Sequence, residues 1–311
     1  MTKGSQPQSQ SSLVVGLGEL IWDIFPEGRR MGGAPSNFAY LSRLLGEKAA
    51  VASRVGRDAL GTEALEKLSR AGLSTRYIQF DDLHPTGTVG VVIREDGEPH
   101  FNVNENSAWD YLEWTREWEE LAAGSVVVCF GTLGQRHAAA RATVTRFLEA
   151  TRADALRLFD VNLRHSFFTP EMLTRSLSHA TVVKLNEEEL TLAARMLSLS
   201  ASGARAMAEA LLRRFDLELV AVTRGARGSL LVSRDGEADE HPGFPVRVAD
   251  MIGCGDAFAA ALALSLRRGV TLALSNEVAN RVGSWLATQQ GATPEAAPAT
   301  VRHLLEGLPE Q

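Results

Sequence analysis

Cysteine is scarce in this sequence, and no apolar run is long enough to cross a membrane. The two cysteines, Cys129 and Cys254, lie far apart and form no Cys-x-x-Cys pair. A disulfide framework or a structural zinc site needs more thiols, so we expect a reducing, cytoplasmic environment. The most apolar stretch, residues 257–266, is shorter than the roughly 20 residues that a membrane span takes. We therefore expect no contact with a membrane.

Several ligand-binding signatures are also missing. The phosphate-binding loop Gly-x-x-x-x-Gly-Lys-Ser/Thr does not occur, which excludes a P-loop enzyme. The stretch Gly16-Leu17-Gly18 lacks the third glycine of the dinucleotide fingerprint, which argues against an NAD-dependent dehydrogenase. The net charge is −6, with both signs mixed along the chain. Such a surface repels a polyanion, so nucleic acid is not an expected partner.

The composition is that of an ordinary globular domain. Hydrophobic residues make up 45% of the 311 and charged residues 23%, which excludes a long disordered protein. Residues 1–12 are the exception, since they are polar, rich in Gln and Ser, and have no apolar signal-peptide core. We expect them to be a disordered tail, followed by one domain over residues 13–311.

Short β-type runs alternate with helical patterns through most of the chain. Repeated strand–helix units imply a mainly parallel sheet with helices on both faces, so we predict a three-layer, doubly wound α/β fold. The predicted strands include residues 13–18, 125–130, 156–161, 181–185 and 217–223, and the predicted helices include residues 36–45, 62–70, 137–150 and 187–197.

One segment differs from this alternation. Two β-type runs between residues 88 and 103 flank Asp96-Gly97, a strong hairpin signal. We predict that this hairpin belongs to a small β lid formed by about residues 22–34 and 85–110.

The segment Asp250-Met251-Ile252-Gly253-Cys254-Gly255-Asp256 precedes the most apolar stretch. Glycines before a helix allow close approach of a ligand, and the free amides of the first helical turn can face an anion. A carboxylate beside an anion site makes sense if a neighbouring hydroxyl must lose a proton as it attacks phosphorus. The alternative is that Asp256 only caps the helix.

The pattern Asp-x-x-Gly-x-Gly-Asp resembles the C-terminal signature of the PfkB, or ribokinase-like, carbohydrate kinases. The resemblance implies that Asp256 is the catalytic base and that the amides of Gly253, Cys254 and Gly255 form an anion hole. Met251 and Cys254 depart from the usual Thr and Ala of the family, while both aspartates and both glycines are kept.

The resemblance extends to the sugar side. Gly32-Gly33-Ala34-Pro35-Ser36-Asn37 is similar to the family's glycine pair and sugar-binding Asn, and Asp23 stands where a carboxylate binds sugar hydroxyls. The resemblance therefore implies that the sugar contacts Asp23, Gly33, Asn37, Asn162 and Arg164. Taken alone, Asp23 is better explained as a surface-loop residue, and Arg164 is explained equally well as a surface residue at a strand end.

The nucleotide side is implied in the same way. Asn186 and Glu189 resemble the Asn-x-x-Glu element that organises Mg²⁺ and phosphate through water, and Thr223, Gly225 and Gly228 resemble a nucleotide-binding turn. Asn280 stands where the family contacts adenine. Asp250 and Ile252, with the turn at residues 291–293, correspond to loops that hold a monovalent cation, K⁺, in several members.

Five stretches resemble the fructokinase branch, namely residues 19–26, 32–37, 105–110, 130–136 and 160–164. The implied reaction transfers the γ-phosphoryl group of ATP to D-fructose, with ATP and Mg²⁺ as cofactors. The alternatives are a ribokinase-like kinase of ribose, 2-keto-3-deoxygluconate or a nucleoside, and a non-catalytic sugar- or nucleotide-binding regulator. Related kinases often pair their lids, so we predict a homodimer through the lid.

Overall fold

The computed structural model describes residues 13–93, 99–164 and 167–309. The predicted tail at residues 1–12 and the predicted Asp96-Gly97 turn lie outside the described residues. Within the described ranges, no helix is both long enough and apolar enough to cross a membrane.

A nine-stranded sheet forms the centre of the molecule. Its strands are β1 Leu13–Leu17, β4 Ala49–Gly56, β5 Ile78–Asp81, β8 Ser125–Gly131, β9 Leu156–Asp160, β10 Val182–Asn186, β11 Leu219–Thr223, β12 Ser229–Ser233 and β13 Ala238–His241. They follow the order β13-β12-β11-β10-β9-β8-β1-β4-β5, and all neighbours are parallel except the pairs β11–β12 and β12–β13.

Helices cover both faces of this sheet. The helices are α1 Ala34–Leu44, α2 Ala59–Arg70, α3 Arg116–Gly124, α4 Ala138–Glu149, α5 Pro170–His179, α6 Glu187–Met196, α7 Ala204–Phe215, α8 Cys254–Arg267, α9 Leu272–Ala287 and α10 Pro298–Leu304. Because successive residues of a strand point to opposite faces, Val14 belongs to one apolar cluster with α1, α8 and α9, and Val15 to another with α3 to α7. The predicted three-layer α/β fold is thereby confirmed.

A second, four-stranded sheet has the order β3-β2-β6-β7. Its strands, β2 Ile21–Phe25, β3 Gly28–Gly32, β6 Gly87–Ile93 and β7 Pro99–Val103, fall largely within the segments predicted to form the lid. The β2–β3 and β6–β7 pairs are antiparallel and β2–β6 is parallel. We call these four strands the small sheet. That it acts as a lid stays a prediction.

The small sheet is anchored on a compact apolar cluster. Ile21, Val89 and Val103 pack with Trp109 and Leu133, which lie outside the four strands of the small sheet. The Trp109 ring is completely buried, and the guanidinium of Arg136 lies 4.1 Å from its centroid. This contact fixes the small sheet beside the carboxyl ends of the parallel strands, where ligands bind in open α/β sheets.

Candidate active site

A cavity of about 690 Å³ lies between the small sheet and the main domain. Of the residues predicted to bind sugar or catalyse, it brings together Asp23, Gly33, Asn37, Asn162, Arg164, Gly253, Gly255 and Asp256. Asp250 and Ile252 also line it, as do Glu19 and Lys184, which sequence reasoning did not single out. Segments far apart in sequence therefore meet at one place.

Asp256 lies in the first turn of α8, with its carboxylate inside the cavity. The helix begins three residues earlier than the apolar stretch indicated, and Gly253, at φ 81°, is its N-cap. The carboxylate instead accepts a hydrogen bond of 2.8 Å from Nδ2 of Asn37 on α1. The Asp256 side chain therefore does not cap α8, which was the alternative role considered from the sequence.

The electrostatic surroundings keep Asp256 near its titration point at neutral pH. Its side chain is buried, and burial, aided by the nearby Asp160 carboxylate, raises its pKa from 3.8 to about 7. The hydrogen bond from Asn37 and the positive charges of Lys184 and Arg164 limit this rise. A carboxyl group with this pKa can take up a proton at physiological pH, which is the property of a general base.

The amides at the start of α8 form a positively polarised surface next to Asp256. The first amides of a helix have no partner within the helix, and the helix dipole adds partial positive charge. Gly253 must be glycine, because a Cβ there would lie 2.6 Å from the Cβ of Ala292. Cys254 stays a thiol, since burial raises its pKa to about 11. The arrangement can stabilise an anion.

Lys184 adds a full positive charge at this point. It is the neighbour of Asp160 across β9 and β10, and its Nζ lies 3.1 and 3.2 Å from the two carboxylate oxygens. Nζ also reaches the start of α8, where a Cβ on Gly255 would lie 2.7 Å from it. Burial acts to lower the pKa of Lys184, but Asp160, Glu189 and Asp256 raise it above its ordinary value. The ammonium group therefore stays charged.

Glu19 is a second buried carboxyl group in the cavity. Burial and the charge of Asp256 raise its pKa to about 7, against opposing hydrogen bonds from its own amide and that of Ala34. Among the described residues, neither Oε2 of Glu19 nor Oδ1 of Asn37 has a hydrogen-bond partner. Buried acceptors without a partner are costly, so these two atoms mark where a donor on a ligand would bind.

The remaining sugar-side residues surround these acceptors. Asp23 on β2 is buried, and burial raises its pKa to about 6, although Arg164 and Arg30 oppose the rise. Gly33, at φ 104°, is the N-cap of α1, and a Cβ there would lie 2.4 Å from the backbone oxygen of Glu19. Asn162 and Arg164 follow β9. Arg164 is exposed, yet it lines the cavity with its positive charge near the carboxylates.

The residues implied for the nucleotide lie outside the lining of this cavity. Asn186 and Glu189 form a capping box at the start of α6, and Glu189 also accepts a bond of 2.9 Å from the amide of Leu163. Thr223 ends β11, and Gly228 must be glycine, since a Cβ would lie 1.9 Å from the His241 backbone oxygen.

Asn280 is placed differently from the other implied residues. Its Nδ2 donates to Ser229 and Asn276 within a buried polar network between α9 and β12. A contact with adenine therefore stays a prediction.

The metal-side predictions can also be located. Each Glu189 oxygen accepts one backbone amide, from Leu163 and from Asn186, which leaves lone pairs for a metal-bound water. In the described ranges, no three His, Cys, Asp or Glu side chains are grouped so that they could hold a metal by themselves. Glu189 thus fits the water-mediated contact with Mg²⁺ that the sequence implied.

A three-layer α/β domain with a buried carboxyl group at one helix start, beside a small sheet, has the features expected of a kinase that phosphorylates a hydroxyl group. The model of the pfkB family carbohydrate kinases matches residues 19–299. The chain belongs to this family and is a carbohydrate kinase. The predicted family and enzyme class are both confirmed.

Individual relatives agree with this assignment. The chain is 31% identical to the fructokinase of Escherichia coli, over 80% of this chain and 83% of that one. It superposes on a fructokinase of Xylella fastidiosa with bound ATP, with a TM-score of 0.83, 23% identity and coverage of 95% and 98%. A double-mutant fructokinase of Vibrio cholerae O395, in a form with fructose, ADP and potassium ion bound, superposes with a TM-score of 0.78 and 23% identity. The superposition covers 95% of this chain and 99% of that one. At these identities the two structures bear on the fold alone.

Proposed function

We propose that the chain transfers the γ-phosphoryl group of ATP to the primary 6-hydroxyl of D-fructose, giving fructose 6-phosphate and ADP. The observation that carries this proposal is the buried Asp256 carboxyl, with a pKa of about 7, hydrogen-bonded by Asn37 at the start of α8. A pure binding protein has no use for a base beside an anion site. The fructokinase relative at 31% identity supports fructose as the acceptor.

In the proposed reaction, Asp256 accepts the proton of the sugar hydroxyl as its oxygen attacks the γ-phosphorus. The new O–P bond forms while the bond from the γ-phosphorus to the β–γ bridging oxygen breaks, and ADP leaves with that electron pair. The hydrogen bond from Asn37 fixes one carboxylate oxygen and leaves the other free for the hydroxyl. General-base catalysis of this kind contributes about 10²–10⁴-fold.

The negative charge of the transferring group meets donors that are already in place. The amides of Gly253, Cys254 and Gly255 would face the phosphoryl oxygens, and the ammonium of Lys184 lies beside Gly255. Donors fixed by helix geometry and by the ion pair with Asp160 need no reorganisation during the reaction, which is the main source of electrostatic stabilisation.

The polar lining suits a neutral polyol. Oε2 of Glu19 and Oδ1 of Asn37 are buried acceptors to which no residue in the described ranges donates, and the carboxylate of Asp23 adds further acceptors. Sugar hydroxyls supply such donors, while Arg164 and Asn162 can donate to sugar oxygens. Gly33 lets the ring lie against the backbone. A hydrophobic ligand would leave these acceptors unpaired.

We place ATP along Asn186, Thr223, Gly225, Gly228 and Asn280, as the family resemblance implies. Mg²⁺, bound by the phosphates and through water to Glu189, would neutralise phosphate charge. K⁺ at Asp250 and Ile252 is also implied, but the guanidinium of Arg30 already contacts that carboxylate. A K⁺ ion would therefore have to share Oδ2 of Asp250 with the guanidinium of Arg30, and these residues do not fit that arrangement.

The small sheet would close over the sugar and keep water from accepting the phosphoryl group. We further propose a homodimer that forms through this lid, with Ile24 of β2, an exposed large apolar residue, in the contact. Light scattering after gel filtration would test it, and a monomer at micromolar concentration would contradict it. The cytoplasmic location stays a prediction.

The function is tested by ADP release with Mg-ATP across fructose, other ketoses, aldoses, 2-keto-3-deoxygluconate and nucleosides. We expect turnover on fructose and its loss in Asp256→Asn, with Asp82→Asn as the control because Asp82 is exposed and lies outside the cavity. Turnover on ribose, the keto-deoxy acid or a nucleoside would replace fructose as the acceptor. ATP and sugar binding without ADP release would instead support the non-catalytic regulator.

A further inference from the structure

The carboxylate of Asp250 joins three separate parts of the structure. Its Oδ1 accepts a hydrogen bond of 3.0 Å from the amide of Ile252, in the loop that leads into α8. Its Oδ2 accepts one of 3.0 Å from the amide of Gly291, in the turn after α9, and one of 3.1 Å from Nη1 of Arg30. Arg30 belongs to β3 of the small sheet, so one side chain links that sheet to the anion-binding loop.

Arg30 also faces the sugar side of the cavity. It is the direct neighbour of Asp23 across the β2–β3 pair, and its charge acts on that carboxylate. Its guanidinium carbon lies 5.1 Å from the centroid of the Phe25 ring. The guanidinium therefore lies between a carboxylate implied in sugar binding and the carboxylate that holds the loop of the anion hole.

The loop held by Asp250 also contacts the end of α9 and the turn that follows it. The amide of Ala249 donates to the backbone oxygen of Ala287, and Gly253 lies directly against Ala292. A change at Asp250 would therefore be transmitted to the amides at the start of α8. These are the groups that the proposed function assigns to the phosphoryl oxygens, and the inference rests on that function.

A monovalent cation bound by the Asp250 carboxylate does not fit this arrangement. Both lone pairs of Oδ2 are taken by the Gly291 amide and by Arg30, and one lone pair of Oδ1 is taken by the Ile252 amide. A K⁺ ion at this carboxylate would lie close to the guanidinium, and like charges at such distances repel. The carboxylate already has its counter-charge.

We propose that Arg30 is a positioning residue that supplies, within the chain, the positive charge which the family resemblance implies for a K⁺ ion at the corresponding loops of several members. It holds the loop of residues 250–253 in the conformation that aims the α8 amides into the cavity. Through β3, it also ties that conformation to the position of the small sheet. The wild-type protein needs no K⁺ for either stability or turnover.

The test compares wild type, Arg30→Met, Arg30→Lys and Arg29→Met in KCl and in tetramethylammonium chloride at equal ionic strength. Arg29 is the matched control, because it also ties β3 to the main domain, but through Glu63 of α2. Thermal unfolding gives a readout without substrate. We expect K⁺ to raise the Tm of Arg30→Met by about 2 °C and to leave the other three unchanged.

Turnover gives the second readout. In tetramethylammonium, kcat of Arg30→Met should fall about tenfold, the loss expected for one charge-assisted hydrogen bond. K⁺ should recover part of it, and Arg30→Lys and Arg29→Met should keep most of the wild-type kcat. A structural role alone would not create a response to K⁺.

Three results would overturn the proposal. They are a several-fold activation of the wild type by K⁺, an Arg30→Met variant that behaves like Arg29→Met, and an Arg30→Met variant that ignores K⁺ in both readouts. Absence of turnover on any sugar would contradict the proposed function, and the Tm comparison would still decide the role of Arg30.

Discussion

Replacing Asp256 with Asn should abolish turnover and at the same time stabilise the protein at alkaline pH. Burial raises the pKa of Asp256 from 3.8 to about 7, so the folded state holds its proton more tightly than the unfolded state. The stability that this gives is complete below about pH 4 and is lost as the pH rises to about 7. At about 1.4 kcal/mol per pH unit, the ionised side chain costs about 4 kcal/mol above pH 7.

Asn removes this cost and keeps the contact with α1, because its amide oxygen can accept the hydrogen bond that Asn37 now donates to the carboxylate. The assay is urea unfolding at pH 5 and pH 8.5. At pH 5 part of this cost is already present, because the unfolded state has lost the proton of Asp256 while the folded state must keep it. We therefore expect the advantage of Asp256→Asn to be larger at pH 8.5 than at pH 5 by about 2–3 kcal/mol.

Asp58→Asn is the control of opposite sign. Burial acts to raise the pKa of Asp58, but hydrogen bonds from Thr86 and Gly61 outweigh it and lower the pKa below its ordinary value. Its stabilising effect is therefore present throughout the range above pH 5, and its loss should cost about 1 kcal/mol at both pH values. The reasoning is refuted if Asp256→Asn is no more stable than wild type at pH 8.5, or if its advantage does not grow with pH.

Three further predictions concern the same site. The kcat/KM for the sugar should rise with pH through about 7 as Asp256 ionises, and a flat profile from pH 6 to 8 would contradict its role as base. Lys184→Met should cost about 3–5 kcal/mol of stability by leaving Asp160 buried and unpaired. Adding Asp160→Asn should restore stability but not turnover; recovered turnover would remove Lys184 from the mechanism. Gly253→Ala should lower both stability and kcat, because φ is 81° and the new methyl group would collide with Ala292. In Gly225→Ala, φ is 58° and no described atom lies within 4 Å of the new methyl group, so urea unfolding should show only about 1–2 kcal/mol of backbone strain. Equal losses of stability in the two variants would contradict this prediction.

The fold follows from sequence patterns where each element is periodic. The predicted strand at residues 125–130 and the helix at residues 187–197 match β8 and α6 to within a residue. The prediction omitted β4, in which Arg54 interrupts the apolar run. In the structure, Nε of Arg54 lies 3.0 Å from the carboxylate of Asp81 on the neighbouring strand. This ion pair between strands stabilises a largely buried charge, whereas a charged residue within an apolar run argues against a strand when only the sequence is known.

The site is only partly visible in the sequence. Asp256 and Asn37 stand in motifs whose glycines signal close backbone contacts, and the structure brings the two side chains to 2.8 Å. Lys184 and Glu19 were not predicted. Each is a single charged residue in or beside an apolar strand. Such a position indicates that a charged side chain is buried, but it does not indicate which residue that side chain contacts. The partner of Lys184 depends on the register of β9 with β10, and no local pattern fixes that register.

The buried carboxyl groups of the cavity are explained by the ligand that they would bind rather than by the stability of the fold. Glu19, Asp23 and Asp256 all have raised pKa values because the fold buries them with few donors. In the absence of a ligand these carboxyl groups destabilise the ionised protein, and a sugar that donates hydrogen bonds to them removes part of that cost. Sugar binding should therefore stabilise the protein more at pH 8.5 than at pH 5. The same burial that weakens the ligand-free fold raises the proton affinity of Asp256, as its proposed role as a base requires, so stability and the proposed catalysis depend on one electrostatic arrangement.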